Sequence, residues 1–261
     1  MSQLGALRRL PSMRIAVAGG TGTLGTPLVA ELTERGHDVR VLSRRSAKFP
    51  VDLTTGEGLS AALSAVEVVV NASNGPSSGK AGAVLVEGSR RLIEAAAAAG
   101  VTHCVTASIV GIHEVPLAYY GVKVAQEAAV RDGAVPWTIV RATQFHELLG
   151  FLFAATARFR IRVSSRAQLQ PIAVNDAARA FADVAEGPPS RGLVQVAGPE
   201  VRQLPDLARE WQLARGTRAV PLRLPLPGKL GRALRRGALT ARSPEVAGTT
   251  TFSTWLTQTP S

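Results

Sequence analysis

A glycine-rich segment close to the N-terminus constrains the fold more than any other feature of this chain. The apolar run Arg14–Ala18 leads directly into the segment Gly19-Gly20-Thr21-Gly22-Thr23-Leu24-Gly25. Apolar residues then recur at helical spacing as far as Arg35, and Gly36 follows as a helix terminator. A buried strand, a glycine loop and an amphipathic helix in this order predict the opening unit of a parallel α/β sheet.

Strand and helix patterns continue to alternate through the first 145 or so residues. Helices are predicted at 81–99 and 119–131. Buried strands are predicted at the apolar runs 38–43, 67–71, 101–108 and 137–141. This alternation is typical of a Rossmann-type doubly wound parallel sheet, with right-handed crossovers and helices on both faces.

The pattern loosens in the last third of the chain, where we predict helices at 148–157 and 175–186 and a strand at 193–196. Residues 13–261 are interpreted as a single NAD(P)-binding Rossmann domain. An N-terminal extension at 1–12 precedes it, and Met13 is a candidate for the natural start. The segments at about 144–170 and 204–255 are expected to form a small C-terminal substrate-binding cap over the strand ends.

Composition excludes several classes of protein. Hydrophobic residues make up 46% of the chain and charged residues 19%, so a sizeable core is expected. The single cysteine, Cys104, rules out an intramolecular disulfide and is typical of the cytoplasm. No apolar run is long enough to span a membrane, and no secretory signal is recognised. The sequence therefore predicts a cytoplasmic protein without a membrane partner. We expect a monomer or a homodimer.

Charge and histidine patterns argue against nucleic acid and metal. The net charge is +11, and residues 201–261 hold ten basic and three acidic side chains. These basic residues form no continuous run and are not interleaved with aromatic residues, so nucleic-acid binding is not expected. The four histidines form neither an H-x-x-x-H pair nor a cluster of cysteine and histidine residues, so no metal site is expected.

The glycine loop predicts a phosphate site. Residues 20–25 fit the pattern G-x-G-x-x-G, in which one glycine permits the turn, one admits a pyrophosphate and one lets the helix pack on the strand. The helix start adds free N–H groups that attract phosphate. We expect a dinucleotide to contact Gly19, Thr21, Gly22, Thr23, Leu24 and Gly25. A glycine turn without a ligand is the alternative.

The end of the second predicted strand indicates which dinucleotide binds. NAD-binding proteins usually present an acidic residue there for the ribose hydroxyls. This chain instead has Ser43-Arg44-Arg45. Two guanidinium groups suit a 2′-phosphate through charge-assisted hydrogen bonds. NADP(H) is therefore the preferred cofactor, with NAD(H) as the second option. Two solvated surface arginines are the alternative interpretation.

The order of further short motifs carries a family resemblance. After Ser43-Arg44-Arg45 come Asn71-Ala72-Ser73, Ser108-Ile109-Val110-Gly111, Tyr119-Tyr120-Gly121-Val122-Lys123 and Arg141-Ala142-Thr143-Gln144-Phe145. Together they resemble the atypical short-chain dehydrogenase/reductases, specifically the NmrA-like NAD(P)H-binding group, over nearly the whole chain from Met13. The resemblance implies an NADPH-dependent oxidoreductase. The alternatives are an NADP(H)-sensing regulator without catalysis, and a cofactor-assisted isomerase, dehydratase or cyclase.

The resemblance also implies a catalytic trio of Ser108, Tyr119 and Lys123. Tyr119 and Lys123 are four residues apart on a predicted helix and would share one face. Because an ammonium group favours phenolate, Lys123 is expected to lower the pKa of Tyr119, and also to hold the nicotinamide ribose. Ser108 is expected to hydrogen-bond the substrate oxygen. If the register of the helix shifts by one residue, Tyr120 takes the catalytic role instead of Tyr119. For Ser108, the alternative is a structural role as a cap or turn residue.

Further cofactor contacts follow from the same resemblance. Asp52 and Leu53 are expected at the adenine. Asn71, Ala72 and Ser73 are expected to line the cofactor. Thr143, Gln144 and Phe145 are expected near the nicotinamide. The stretch between Arg45 and Asp52 is short for the family, so the strand expected there is truncated or missing.

Substrate contacts are the least constrained part of this interpretation. His113 and His146 follow strand ends on the side where ligands bind, and His146 is the better candidate. Core packing is the alternative for both. Apolar residues of the cap indicate an apolar or aromatic carbonyl or quinone substrate, or else a second core. They are Leu148, Leu149, Phe151, Phe153, Leu222, Leu224 and Leu226.

Overall fold

The computed structural model describes residues 11–75, 82–223 and 226–259. Residues 1–10 of the predicted extension, position 81 of a predicted helix and Leu224 of the predicted cap therefore lie outside the described residues. The strands are β1 (Arg14–Ala18), β2 (Asp38–Leu42), β3 (Val68–Asn71), β4 (His103–Ile109), β5 (Trp137–Ala142), β6 (Ile161–Ser164), β7 (Gln168–Leu169), β8 (Leu193–Ala197), β9 (Arg202–Gln203), β10 (Val220–Arg223) and β11 (Val246–Ala247).

The helices alternate with the longer strands, as predicted. They are α1 (Gly25–Glu34), α2 (Leu59–Leu63), α3 (Gly88–Ala98), α4 (Ala118–Arg131), α5 (His146–Ala157), α6 (Val174–Glu186), α7 (Leu204–Ala214), α8 (Gly228–Arg235) and α9 (Phe252–Gln258). The helix predicted at 81–99 is confirmed over 83–98, and its first part, Ala83–Glu87, is π-helical and runs directly into α3. None of the helices in the described ranges is both long and apolar enough to cross a lipid bilayer.

Seven strands form one parallel sheet in the order β11-β8-β5-β4-β3-β1-β2. Neighbouring strands pair in parallel throughout. The Rossmann-type fold class predicted from the sequence is therefore confirmed. Strand β1 lies between β2 and β3. The chain therefore adds β2 on one side of β1 and then returns to add β3 on the other side. Such a switch opens a ligand-binding crevice at the carboxyl ends of β1 and β3.

Two apolar cores hold the helices against the faces of this sheet. Side chains alternate along a strand, so Ile15 and Val17 face one core and Ala16 and Ala18 face the other. The first core packs α1 and α6 onto the sheet, and the second packs α2, α3 and α4. Both faces are thereby buried, and polar side chains are expected mainly at the strand ends.

A third apolar cluster lies beyond the sheet, and we call it the C-terminal cluster. It joins α5, α7 and α9 through residues such as Leu149, Phe153, Trp211 and Phe252. Beside it, β6 pairs in parallel with β10, and β7 pairs antiparallel with β9. The sequence patterns do not predict these short strands, since pairing between distant segments stabilises them. The interpretation as one domain with a cap stays a prediction.

Candidate functional site

The phosphate loop, residues 19–25, folds so tightly that side chains do not fit at two of its glycines. Gly19 has φ +75°, a conformation that favours glycine. A Cβ atom at Gly19 would lie 2.8 Å from the carbonyl oxygen of Ala72 and from the nitrogen of Ser73. A Cβ atom at Gly25 would lie 2.1 Å from the carbonyl oxygen of Gly19. The loop therefore packs against the end of β3 backbone to backbone.

The loop ends in an open helix start. Leu24 precedes α1 with a buried side chain, and this position supplies no side-chain hydrogen bond to the first turn. Thr21, Gly22 and Thr23 are exposed. The Gly22 N–H donates to the Gly19 carbonyl at 2.9 Å, which closes the turn. The exposed backbone and the N-terminal end of the helix dipole together form a cradle that fits a pyrophosphate.

The segment after β2 also fits a cofactor. Ser43 pairs with Pro50 in a single parallel bridge, which is what remains of the strand that the family resemblance implies there. The Ser43 hydroxyl oxygen is buried and has no hydrogen-bond partner in the part of the chain that the structure describes. Arg44 and Arg45 are exposed beside it. An orphaned hydroxyl flanked by two solvated guanidinium groups suits a phosphate-bearing ligand.

The two residues expected at the adenine, Asp52 and Leu53, already make contacts within the protein. Asp52 accepts hydrogen bonds from the backbone N–H and the hydroxyl of Thr54. These bonds hold the pKa of the Asp52 carboxyl below its usual range. Leu53 packs against the core beneath α2 and α3. Both positions therefore shape the turn after β2 in addition to any contact with a ligand.

A chain of buried hydrogen bonds runs from β3 to α4. Asn71 accepts from the Ser73 hydroxyl at 2.6 Å and from its N–H at 3.2 Å. The Asn71 amide donates to the Ser89 hydroxyl at 2.9 Å, and the Gln126 amide donates to the same oxygen at 3.0 Å. The Lys123 ammonium donates to the Gln126 amide oxygen at 2.6 Å. Sequence reasoning identified the two ends of this chain but missed Ser89 and Gln126.

Lys123 itself is buried under the start of α4. Its ammonium also donates to the Ala107 carbonyl at 2.7 Å, so two of its three protons have acceptors. Burial lowers the pKa of Lys123 to about 8, and the negative charge of Glu127 works in the opposite direction. Lys123 is thus fixed at the strand ends, on the side where the phosphate loop lies.

Tyr119 lies one helical turn before Lys123. Its hydroxyl donates to the Asn74 side-chain oxygen at 2.6 Å. Burial raises the pKa of Tyr119, and the hydrogen bond to Asn74 opposes this only in part. The expected lowering of this pKa by Lys123 is therefore wrong for the protein alone, because desolvation dominates. Asn74 was missed because nothing in its local sequence indicates a pairing with a residue 45 positions away.

The Ser108 hydroxyl, which was expected to hydrogen-bond the substrate oxygen, is bound to a carboxylate of the protein. It donates to Glu127 Oε1 at 2.6 Å. Arg141 binds the same carboxylate in bidentate fashion, at 2.8 Å and 2.6 Å, and Arg131 adds a bond of 2.9 Å. The pKa of Glu127 is lowered by these partners although its burial acts to raise it. The Ser108 proton is therefore directed to Glu127, and the hydroxyl keeps lone pairs for a ligand.

The residues after β5 lie beside the C-terminal cluster. The Thr143 hydroxyl accepts from the Gly198 N–H at 3.2 Å, and Phe145 pairs with Ile172 in a parallel bridge. The Gln144 amide donates to the Leu239 carbonyl at 3.0 Å. All three residues therefore lie at the end of β5. The side chains of Thr143 and Gln144 bind the later segments around Gly198 and Leu239.

The two histidines proposed as substrate contacts differ in their environment. His146 is completely buried, with Nε2 3.0 Å from the Thr250 carbonyl oxygen and its ring edge-on to Phe252. This placement corrects the expectation of a substrate contact and favours core packing. His113 is half-exposed and accepts a hydrogen bond of 2.8 Å from Arg141. Only His113 is thus open to a small molecule from solvent.

The apolar residues of the predicted cap divide in the same way. Leu149 and Phe153 belong to the C-terminal cluster, whereas Leu148, Phe151 and Leu222 are exposed. Within the described ranges, no group of three or more histidine, cysteine or acidic side chains is placed to hold a metal ion.

Comparison with known proteins agrees with this geometry. Residues 19–188 match the NAD(P)H-binding family. The curated (4-alkanoyl-5-oxo-2,5-dihydrofuran-3-yl)methyl phosphate reductase of Streptomyces griseus is 33% identical over 143 residues, which are 50% of this chain and 48% of that protein. The 3-diazoavenalumate denitrifying reductase of a Streptomyces species is 36% identical over 115 residues, 37% of this chain and 38% of that protein. The chain spans half or less of the length of these relatives.

Solved structures share the fold across almost the entire chain. The NADPH-dependent quinone oxidoreductase of Escherichia coli, complexed with NADPH, superposes with a TM-score of 0.78 at 20% identity. That alignment covers 94% of this chain and 99% of the other. A short-chain dehydrogenase/reductase superfamily protein of Agrobacterium tumefaciens, with bound NAD, gives a TM-score of 0.72 at 21% identity, over 94% of this chain and 95% of that one. Because the family match spans more than half of a chain with this sheet and phosphate loop, the protein belongs to the NAD(P)H-binding family of atypical short-chain dehydrogenase/reductases.

Proposed function

We propose that the protein is an NADPH-dependent oxidoreductase that reduces a small, apolar or aromatic carbonyl or quinone. The observation that carries this proposal is the convergence of two features on one edge of the sheet. The glycine cradle follows β1, and buried hydrogen bonds join Lys123 to Ser73, whose backbone packs against Gly19 of that cradle. Tyr119 lies one helical turn before Lys123 and donates to Asn74, just after β3. A bound NADPH would supply a hydride there.

The holding groups would act on different parts of the cofactor. The cradle of Gly19, Gly22 and Gly25 suits the pyrophosphate. Arg44 and Arg45, with the unpartnered Ser43 hydroxyl, suit the 2′-phosphate and give the preference for NADPH over NADH. Lys123 would hold the nicotinamide ribose with the proton that its two protein acceptors leave free.

The protonation state of Tyr119 suits a proton donor. Because its pKa is raised by burial, Tyr119 keeps its proton at neutral pH and is ready to donate it to a carbonyl oxygen that gains negative charge. Ser108 would accept a hydrogen bond from the product hydroxyl, since its own proton is directed to Glu127. Two curated relatives are named as reductases, which supports the reaction class. Their printed substrates differ, so the substrate is inferred only by class.

One observation favours a second candidate function. The hydroxyl protons of Tyr119 and Ser108 are both bound to protein acceptors, Asn74 and Glu127. A site in which these contacts persist after cofactor binding would sense NADP(H) without turning over a substrate. The protein would then be an NADP(H)-dependent regulator.

Two experiments test the proposed function. NADPH oxidation is followed with a panel of quinones and aromatic carbonyls, for the wild type, Tyr119→Phe and Lys123→Ala. We expect turnover by the wild type, loss of kcat in Tyr119→Phe and weaker NADPH binding in Lys123→Ala. If the wild type binds NADPH and turns over no substrate, the regulatory function replaces the enzymatic one.

Cofactor choice is tested with the variant Arg44→Ala/Arg45→Ala. We expect its NADPH affinity to fall by about tenfold or more, as for the loss of hydrogen bonds to a charged group, while its NADH affinity stays unchanged. A matched control removes two adjacent exposed arginines far along the chain, in Arg235→Ala/Arg236→Ala. Equal affinities in the two variants would refute the role of Arg44 and Arg45.

A further inference from the structure

Two buried polar side chains, Ser89 and Gln126, have no part in the proposed reaction. They nevertheless connect Lys123 with the base of the phosphate loop. We propose that they are positioning residues, which hold Lys123 at the end of β4 and tie it through Asn71 to the base of the phosphate loop. The inference rests on the proposed role of Lys123 as a cofactor-binding residue. The claim that Ser89, through Gln126, sets the position and the pKa of the Lys123 ammonium does not require that role.

The first link is the contact between Lys123 and Gln126. The two side chains are three residues apart on α4 and share its buried face. Lys123 is 4% exposed and Gln126 is 1% exposed, so neither group has water as a substitute partner. In such surroundings an acceptor at 2.6 Å contributes strongly to keeping the ammonium charged and in place.

The second link fixes which end of the Gln126 amide faces Lys123. A hydroxyl group donates once and accepts twice. The Ser89 hydroxyl donates to the Leu85 carbonyl at 2.6 Å and accepts from Asn71 and Gln126, so its capacity is full. Because Ser89 only accepts from Gln126, the NH₂ group of Gln126 must point to Ser89. Its oxygen is thereby turned to Lys123.

The third link reaches the phosphate loop. Asn71 uses its amide NH₂ on Ser89 and its oxygen on the N–H and hydroxyl of Ser73. The backbone of Ser73 packs directly against Gly19, and a Cβ atom added to Gly19 would lie 2.8 Å from the Ser73 nitrogen. Displacement of Lys123 is therefore opposed by groups that also hold the base of the phosphate loop. The structure thus couples the lysine to the cradle over three side chains.

The electrostatic surroundings of Lys123 are simple enough for a clear readout. Strand β4 presents the Ala107 carbonyl, and α3 presents Ser89 two links away. Among the described residues, the charged group that acts on Lys123 is Glu127 of its own helix, which Arg131 and Arg141 in turn bind. Burial lowers the Lys123 pKa to about 8. Loss of the Gln126 acceptor must lower this pKa further. A carboxylate in place of that amide must raise it.

The experiment follows the titration of Lys123 directly. Lysine labelled with ¹³C at Cε is incorporated, and its resonances are followed by NMR against pH. The sequence contains four lysines, Lys48, Lys80, Lys123 and Lys229, so Lys123→Arg assigns the resonance. We expect the midpoint to fall by roughly one pH unit in Gln126→Leu, as for a lost hydrogen bond to a charged group. We expect it to rise in Gln126→Glu.

Ser89→Ala is the decisive variant, because Ser89 does not touch Lys123. We expect a smaller fall of the midpoint there, since Gln126 loses the partner that orients it. The exposed Gln258→Leu is the control and leaves the midpoint unchanged. Should Gln126→Leu fail to fold, Gln126→Glu and Ser89→Ala still decide the question. Midpoints equal to that of the wild type in folded variants would overturn the proposal.

A second readout separates this inference from the proposed function. NADPH affinity is measured for the same variants, and we expect about a tenfold loss in Gln126→Leu and a smaller one in Ser89→Ala. If the midpoints move but the wild type itself does not bind NADPH, the positioning role stands and the cofactor assignment fails. If NADPH binds and the midpoints do not move, the positioning role fails alone.

Discussion

Glu127 is a buried carboxylate bound by two arginines, and its removal should destabilise the protein strongly. The carboxylate is 1% exposed and accepts four hydrogen bonds, from Ser108, Arg131 and twice from Arg141. Arg141 is itself only 14% exposed. The substitution Glu127→Ala would leave this guanidinium largely buried and without its carboxylate.

The size of the effect follows from this burial. Removing one partner of a buried ion pair costs about 3–5 kcal/mol, because the remaining charge is not compensated. The isosteric Glu127→Gln keeps an acceptor for Ser108 and loses the charge, so we expect about 1.5–3 kcal/mol. The matched surface substitution Glu87→Ala breaks an ion pair with Arg90 in which both side chains are about half exposed. It should cost less than about 1 kcal/mol.

Acid provides an independent check with a defined sign. The pKa of Glu127 is lowered in the folded protein relative to its ordinary value. The stabilisation is therefore complete above the unfolded-state pKa, about 4.3, and is lost as the pH falls through the folded-state pKa. The stability difference between the wild type and Glu127→Gln should accordingly be constant near neutral pH and shrink on acidification below about 4.

Urea unfolding with linear extrapolation measures these free energies, provided that the slope m is the same for all variants. The order Glu127→Ala, Glu127→Gln, Glu87→Ala, from largest to smallest loss, supports the reasoning. A loss in Glu127→Ala no larger than in Glu87→Ala would refute it. It would mean that water reaches the carboxylate and screens its partners.

Four further predictions each concern one kind of side chain or one glycine. Because burial raises the pKa of both tyrosines, Tyr119 and Tyr120, ultraviolet titration of the native protein should show no tyrosinate until the pH exceeds about 10. Burial raises the pKa of Cys104 to about 11, so its thiol should react with a disulfide reagent at pH 8 only after unfolding. Gly25→Ala should abolish NADPH binding, since its Cβ atom would lie 2.1 Å from a carbonyl oxygen of the phosphate loop. Gly121→Ala, at a helical position with open space in the described structure, should stabilise by up to about 1 kcal/mol in urea unfolding.

The parts of the fold that were predictable from sequence are those that local patterns determine. Short runs of valine and isoleucine between helical patterns sufficed for β1, β3 and β5, because strands buried on both faces are apolar throughout. The phosphate loop was predictable because backbone crowding at Gly19 and Gly25 permits little besides glycine. The family resemblance located Tyr119 and Lys123 but did not predict their hydrogen-bond partners.

What local patterns could not supply are pairings between distant segments. Strands β6 and β10 depend on each other across almost 60 residues, and neither has a pattern of its own. His146 illustrates the same limit. Its position after β5 indicates a ligand-binding edge, yet Phe252 and Thr250, more than 100 residues later, enclose it. The tertiary neighbours of a side chain decide its role, and here they came from the far end of the chain.

Helix α4 shows why a site of this kind is hard to recognise from periodicity. An ordinary helix on a sheet buries apolar residues and exposes polar ones. The middle of α4 instead buries Lys123, Gln126 and Glu127. Periodicity alone would assign this polar face to solvent. Its burial is tolerable because each group has partners, Ser89 and Asn71 on one side, Ser108 and Arg141 on the other. Since burying polar groups contributes little net stability, their placement on this buried face supports the proposed role of α4 in positioning Lys123.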